Sequence, residues 1–123
     1  MIDIFSDGVV LIATPVGSRR TVSPPPTNTD DDTLVLVHTD FVQQAIEDLL
    51  SKGFKLDNPD SHYKPEDGLF KSWRKGNLNL IVTSDVGFHA RFLTATHVAK
   101  KLNLKDKPER IMLFQAILYG NKV

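Results

Sequence analysis

The clearest alternation of apolar and polar positions lies in the middle of the chain, at 69–85, in the sequence LFKSWRKGNLNLIVTSD. Two runs of extended-type residues flank Gly76-Asn77, and both of these residues tolerate the positive φ that a two-residue hairpin loop requires. The pattern therefore predicts a β-hairpin in which Lys75 pairs with Leu78 and Trp73 pairs with Leu80.

The two faces of this hairpin differ in character, because alternate side chains of a strand point to opposite sides of the sheet. The apolar face is expected in the core and carries Trp73, Leu78, Leu80 and Val82. The opposite face and the turn form a candidate binding site whose members are Ser72, Arg74, Lys75, Asn77 and Asn79.

The first third of the chain predicts a second hairpin followed by a loop. Residues 2–5 and 9–14 are β-prone runs, and the Asp7-Gly8 pair between them is a strong hairpin signal. Residues 15–32, PVGSRRTVSPPPTNTDDD, contain too little apolar surface to order themselves. We expect this segment to be a flexible Pro-rich loop.

The next segment predicts a strand, a helix and a second loop. TLVLV at 33–37 has the apolar run of a buried strand. Apolar residues then recur at steps of three and four, which predicts an amphipathic helix over 40–52 that ends at Gly53. Residues 54–68 are rich in Asp, Asn, Pro and Ser and predict a long connecting loop.

Two further helices are predicted after the central hairpin. The first covers about 86–103 and has a clean apolar stripe, and the second covers about 107–119. The second is apolar almost all round, so it lies either in the core or against a partner. If the chain itself leaves this apolar surface uncovered, we expect a homodimer. The predicted fold is therefore α+β, with a small antiparallel or mixed sheet covered on one face by three helices.

Length and composition bound the class of protein. A chain of 123 residues forms one domain, 1–123, that needs no disulfide or metal to fold. The sequence has no cysteine, which excludes thiol catalysis and cysteine-zinc sites. No secretory signal or membrane-length apolar run is present, so we expect a soluble cytoplasmic protein without membrane contact.

Charge is strongly polarised along the chain although the net charge is zero. Residues 1–68 carry 5 basic and 12 acidic side chains, whereas residues 69–123 carry 10 basic and 3 acidic ones. Either the two halves complement each other within one fold, or the basic half faces an acidic partner or nucleic acid. The residues for such a contact are Lys71, Arg74, Lys100, Lys101 and Lys105.

No complete catalytic motif is present. His89 and His97 stand eight residues apart, which is too far for one metal ion, and His38 and His62 lie near strand and loop ends. A magnesium site for phosphoryl transfer needs converging carboxylates, yet the alternating positions of the central strand carry Asn77 and Asn79. We therefore assign no catalytic residue, no metal ligand and no cofactor.

Three phrases, SWRKGNLNLIVTSD, VAKKLNL and LFQAILYGN, resemble a group of small proteins of tailed bacteriophages, some of which are labelled nucleotidyltransferases. The resemblance covers about the last 50 to 85 residues. It implies either a nucleotidyltransferase-like fold or only a hairpin followed by helices, and Asn77 and Asn79 occupy the two acid positions of the Asp-hydrophobic-Asp pattern. The chain thus departs from the pattern at the metal site itself.

The resemblance implies a phage accessory protein in the cytoplasm of the infected bacterium, which binds a host or phage protein without catalysis, for host takeover or anti-defence. One alternative is a magnesium-dependent nucleotidyltransferase in which Asn79, Asp85 and Asp67 converge. The other is a nucleic-acid-binding module that uses the basic residues named above.

Overall fold

The computed structural model of the chain describes residues 4–17, 31–56 and 70–119. The strands of these segments are β1 (Val10–Val16), β2 (Asp31–Val37), β3 (Lys55–Leu56), β4 (Lys71–Lys75) and β5 (Leu78–Thr83). The helices are α1 (Val42–Ser51), α2 (Val86–Leu102) and α3 (Lys107–Tyr119), and a 3-10 turn at Thr39–Phe41 leads into α1. The predicted α+β class is confirmed.

The five strands form one mixed sheet in the order β1-β2-β5-β4-β3. β2 and β5 are parallel, and the other neighbours are antiparallel. The register predicted for the central hairpin is confirmed, because Lys75 pairs with Leu78 and Trp73 pairs with Leu80. The local turn signal of Gly76, whose φ is 61°, was sufficient to set it.

Helices cover both faces of the sheet, so the expected packing on a single face is corrected. Val35 and Val37 of β2 pack with Ala45 and Leu49 of α1. The intervening Leu34 packs with α2 and α3 on the other side, together with Ile81 of β5. Because successive side chains of a strand alternate, β2 can be buried from both sides only if helices lie on both faces.

The N-terminal hairpin prediction is wrong for the residues that the structure describes. The segment around Phe5 forms a turn instead of a strand, closed by the Val9 N–H, which donates to the Ser6 carbonyl at 3.2 Å. Gly8 has a φ of 82° and supports this turn. Phe5 and Val9 then enter the core beside α1, so their apolar side chains serve packing without a strand partner.

The loop boundaries also change. The two ends of the predicted loop 15–32 lie in strands, with Pro15 and Val16 in β1 and Asp31 and Asp32 in β2. Residues 18–30 lie outside the described part of the chain. The predicted loop 54–68 begins with strand β3, and its residues 57–68 are likewise not described.

Helix ends follow local chemistry. Gly53, with a φ of 88°, ends α1 in a Schellman motif, in which the Phe54 N–H donates to the Leu49 carbonyl at 3.0 Å. Asn103 ends α2 in the same left-handed conformation. Asp85 caps the start of α2, because its carboxylate accepts the Phe88 N–H at 2.7 Å.

Both α1 and α2 run back along the sheet from the strands that precede them. Phe88, near the start of α2, stacks on Phe70 just before β4, with ring centroids 5.1 Å apart. The Lys75 ammonium donates to the Lys52 carbonyl after α1 at 2.7 Å. The residue after α1 therefore lies beside the last residue of β4. α2 starts beside the first residues of β4 and runs back along the sheet in the direction opposite to β5. Both helices thus end toward the end of the sheet where β2 and β5 begin, which we call the tip end.

Candidate functional site

The polar face of the central hairpin forms part of a row across the sheet. Asn79 of β5 pairs with Asp32 of β2 on one side and with Arg74 of β4 on the other. The Asn79 amide Nδ2 donates to Asp32 Oδ1 at 3.1 Å. All three side chains are half-buried, so this row is a structured polar layer at the tip end.

Two features fix the geometry of this row. Gly17 has a φ of 84°, and a Cβ at this position would overlap Asp32 Oδ2, so only glycine leaves room for the carboxylate. The Asn79 Oδ1 atom is buried and accepts no hydrogen bond from the described residues. An unpaired buried carbonyl is costly, so the orientation of the amide rests on the bond from its Nδ2 to Asp32.

The members of the predicted hairpin site do not share one surface. Ser72, Arg74 and Asn79 lie on the face toward α2 and α3, where they are half-buried. Lys75 lies on the face toward α1, with its ammonium 5.9 Å from the centroid of the Phe54 ring. Asn77 is exposed in the turn. A partner therefore cannot contact all five residues on one flat surface.

Asn79 and Asp85, two of the three residues of the nucleotidyltransferase alternative, do not converge as predicted. Asp85 lies six residues beyond Asn79, at the opposite end of β5, about 20 Å away at 3.3 Å per strand residue. Its carboxylate already caps α2. Asp67 lies outside the described residues. Within the described segments no group of three or more His, Asp or Glu side chains could hold a metal ion.

The basic residues predicted for an acidic partner are partly brought together. Lys100 and Lys101 lie in the last turn of α2, and Lys105 follows in the connection to α3, all exposed. Arg74 reaches the same tip end from β4, whereas Lys71 pairs with Val82 near the opposite end of the sheet. The structure thus gathers four of the five at one end of the molecule.

Sequence reasoning missed a groove along β1. In the described chain β1 is the outermost strand of the sheet, with no strand on its other side. Leu11 and Ile12 are 53 % and 48 % exposed. A groove of about 470 Å³ runs along the strand, and its lining includes Phe5, Leu11, Ala13 and Pro15 together with Asp7 at one end. The signal was present in residues 8–17, GVVLIATPVG, which carry no charge.

The segment that borders this groove is anchored to α1. Asp48 accepts the Ser6 N–H at 2.8 Å and the Ser6 hydroxyl at 3.1 Å, and Gln44 also donates to it at 2.9 Å. Burial acts to raise the pKa of the Asp48 carboxyl, but these hydrogen bonds outweigh it and lower the pKa below its usual value. Hydrogen bonds to α1 therefore hold the segment around Ser6 that forms one wall of the groove.

Acidification should destabilise the fold through His89, which is 6 % exposed and whose Nε2 has no partner among the described residues. Burial lowers the pKa of this imidazole, so the unfolded chain takes up the proton at a higher pH than the folded chain does. The free energy of unfolding should fall as the pH drops below about 6.5, by at most about 1.4 kcal/mol per pH unit, until the lowered pKa is passed.

Urea denaturation between about pH 8 and pH 5 measures this slope. His89→Leu should flatten it, and His97→Leu, at an exposed position of the same helix, is the matched control. Equal slopes in the wild type and in His89→Leu would contradict the assignment to His89.

No protein family model, curated protein or solved structure matches the chain. None of the described helices has both the length and the apolar character needed to cross a membrane.

Proposed function

We propose that the chain is a non-catalytic phage accessory protein that binds a host or phage protein in the cytoplasm of the infected bacterium, by taking an extended segment of that partner along β1. The exposed, uncharged edge of β1 carries this proposal. An extended segment added to a sheet edge gains main-chain hydrogen bonds for affinity and side-chain pockets for specificity. The groove beside β1 supplies such a pocket.

The two edges of the sheet differ in a way that supports this assignment. β3, at one edge, has two residues and carries Lys55, and both shortness and charge protect an edge from pairing. β1, at the other edge, has seven residues without charge, and its regular register extends over Ile12–Val16, with Pro15 in that stretch and a shift between Val10 and Ile12 before it. A long apolar edge is an association site unless it is covered.

The arrangement of polar groups supports binding over catalysis. Asp85 serves as a helix cap, and Asp32 is bonded to Asn79. Asp85 lies about 20 Å along the sheet from Asn79 and from Asp32, which pairs with Asn79, so these side chains cannot share one magnesium ion, whose oxygen ligands lie at about 2.1 Å. The alternative of a magnesium-dependent nucleotidyltransferase therefore loses the site proposed for it within the described residues.

Leu11→Lys should abolish capture of the partner from a lysate of the bacterial host, because the charge would enter the apolar groove. The matched control is Leu56→Lys on the opposite edge, since the two leucines are 53 % and 55 % exposed. Tagged protein is incubated with nuclease-treated lysate, and captured proteins are identified by mass spectrometry. The purified partner should then slow hydrogen exchange at the amides of β1.

Capture that is equal for Leu11→Lys and Leu56→Lys would contradict binding along β1. Loss of all capture on nuclease treatment would instead favour the second candidate function, a nucleic-acid-binding module. That candidate rests on Arg74, Lys100, Lys101 and Lys105 at the tip end. It requires an affinity that falls steeply with salt, because each phosphate contact releases counterions.

A further inference from the structure

The open edge of β1 has a defined centre. Successive residues of an antiparallel strand direct their N–H groups alternately to the two sides. Pro15 has no N–H and fits where its nitrogen points away from β2, as prolines on edge strands do. Ala13, two residues earlier, then directs its N–H and carbonyl to the same open side. A further strand would therefore meet backbone donors and acceptors around Ala13.

We propose that the free protein forms a twofold dimer in which β1 pairs antiparallel with β1 of a second copy, centred on Ala13. An antiparallel strand pair is self-complementary about a twofold axis, which is the symmetry of most protein dimers. In this arrangement Ala13 exchanges two hydrogen bonds with its own copy. Ile12 then lies opposite Thr14 of the other copy, within the part of β1 whose register is regular, Ile12–Val16, beyond the shift between Val10 and Ile12.

Charge favours a second copy as the occupant. Self-pairing places identical residues close to the axis, so any charged side chain in the strand would meet its own copy and repel it. Residues 8–17 contain no charged side chain. The other edge would bring Lys55 close to its own copy, which disfavours self-pairing there. Self-pairing is therefore free of charge repulsion at the β1 edge but not at the β3 edge.

The dimer would also bury the exposed apolar side chains of the strand. Leu11 and Ile12 are about half exposed in the single chain. Pairing about an axis perpendicular to the sheet sets the two grooves side by side on the same face, where both contain Leu11, Ala13 and Pro15. The paired strands form one continuous sheet with ten strands, five from each copy.

This dimer would regulate partner binding, because it occupies the same edge of β1. The regulatory role rests on the proposed function. A strand edge accepts one neighbour, so a second copy and an extended partner segment compete for β1. Partner binding should therefore release monomers, and its apparent affinity should fall as the concentration of the protein rises. The dimer itself does not depend on the partner.

Ala13→Cys tests the pairing directly, because the natural chain has no cysteine. Directly opposed residues of antiparallel strands have Cβ atoms about 4.5–5.5 Å apart, so the two introduced thiols can form a disulfide with small adjustments. Diamide is added as the oxidant, which takes up the two protons and two electrons released by the two thiols. We expect rapid conversion to a covalent dimer, at least tenfold faster than for Leu56→Cys on the other edge.

Light scattering of the wild-type protein provides a second measurement that needs no substitution at the axis. It should report twice the mass of 13.8 kDa, and Leu11→Lys should restore the single mass. A monomeric wild type, or cross-linking of Ala13→Cys no faster than that of Leu56→Cys, would overturn the dimer. Either result leaves the proposed function standing if lysate capture still depends on Leu11.

The regulatory consequence has its own readout. The oxidised Ala13→Cys dimer should lose the captured partner, and reduction should restore binding. Equal capture by the oxidised and reduced forms would overturn the competition for β1. Failure of all forms to capture any protein, with the dimer still formed, would overturn the proposed function instead.

Discussion

Replacing Phe88 with alanine should lower the free energy of unfolding by about 3–5 kcal/mol, the cost of truncating a fully buried aromatic side chain. Phe88 is 0 % exposed. Its ring stacks on Phe70 at 5.1 Å and contacts Phe92 at 5.8 Å, and Phe92 in turn meets Phe114 of α3 at 5.1 Å. The ring therefore joins the start of β4 to both helices of one layer.

Denaturant unfolding of Phe88→Ala measures this loss, with Leu102→Ala as the control on the same helix. Leu102 is 59 % exposed, so its truncation should change stability by less than about 0.5 kcal/mol. The dependence of the unfolding free energy on denaturant should stay the same, because the same surface becomes exposed on unfolding. A loss below about 1 kcal/mol for Phe88→Ala would contradict the described aromatic packing.

The central hairpin could be predicted in detail because its determinants are local. The turn at Gly76-Asn77 fixes the loop, and the alternation around Trp73 and Leu80 fixes the faces. Both signals lie within a few residues of each other. Helix ends at Gly53 and Asn103 were predictable for the same reason, since a left-handed terminal residue is chosen by its own backbone preference.

The placement of helices on two faces depends on long-range packing, and one signal for it was present. Residues 34–37 are apolar at every position and all are buried. A strand buried on one face alternates between apolar and polar residues, whereas a strand buried on both faces has a continuous apolar run. The run at β2 therefore indicated a second layer of helices.

The pairing of β1 could not be predicted from its own residues. The Asp7-Gly8 pair favours a turn, which the structure has, but it does not determine whether both flanking segments become strands. Phe5 and Val9 instead fill space beside α1, and β1 pairs with β2 across the undescribed segment 18–30. Such a choice depends on how the whole core closes.

The charge asymmetry of the sequence has a physical explanation in the fold. α1 and α2 end at the same end of the sheet, and helix C-termini carry partial negative charge. Lys100 and Lys101 lie in the last turn of α2, and Lys52 follows α1. Asp85 lies at the opposite, positive end of α2. Compensation of helix dipoles therefore accounts for part of the basic character of the tip end.

Asn79→Asp should destabilise the protein by about 2–3 kcal/mol at neutral pH, because a half-buried hydrogen bond would become a repulsive contact between two carboxylates. The Asn79 amide now donates to Asp32 Oδ1 at 3.1 Å. Two carboxylates at that distance cannot both ionise readily, and the positive charge of Arg74 beside them offsets only part of the repulsion, so we expect one folded-state pKa to rise above its unfolded value. The penalty should therefore be present at neutral pH and shrink as the pH falls through the raised pKa.

The same substitution tests whether this strand can hold a metal ion, since it places an acid at one of the two acid positions of the Asp-hydrophobic-Asp pattern. Thermal unfolding in millimolar Mg²⁺ is compared for the wild type, Asn79→Asp and the control Asn77→Asp, whose exposed turn position should tolerate the charge. We expect Mg²⁺ to restore no stability to Asn79→Asp, because Arg74 lies beside Asn79 in the same row and its positive charge opposes a cation. If Mg²⁺ restores stability to Asn79→Asp but not to Asn77→Asp, this expectation is contradicted. Two carboxylates bind one metal ion only where the strand geometry lets an oxygen of each reach it, so that result would favour descent from a metal-dependent site.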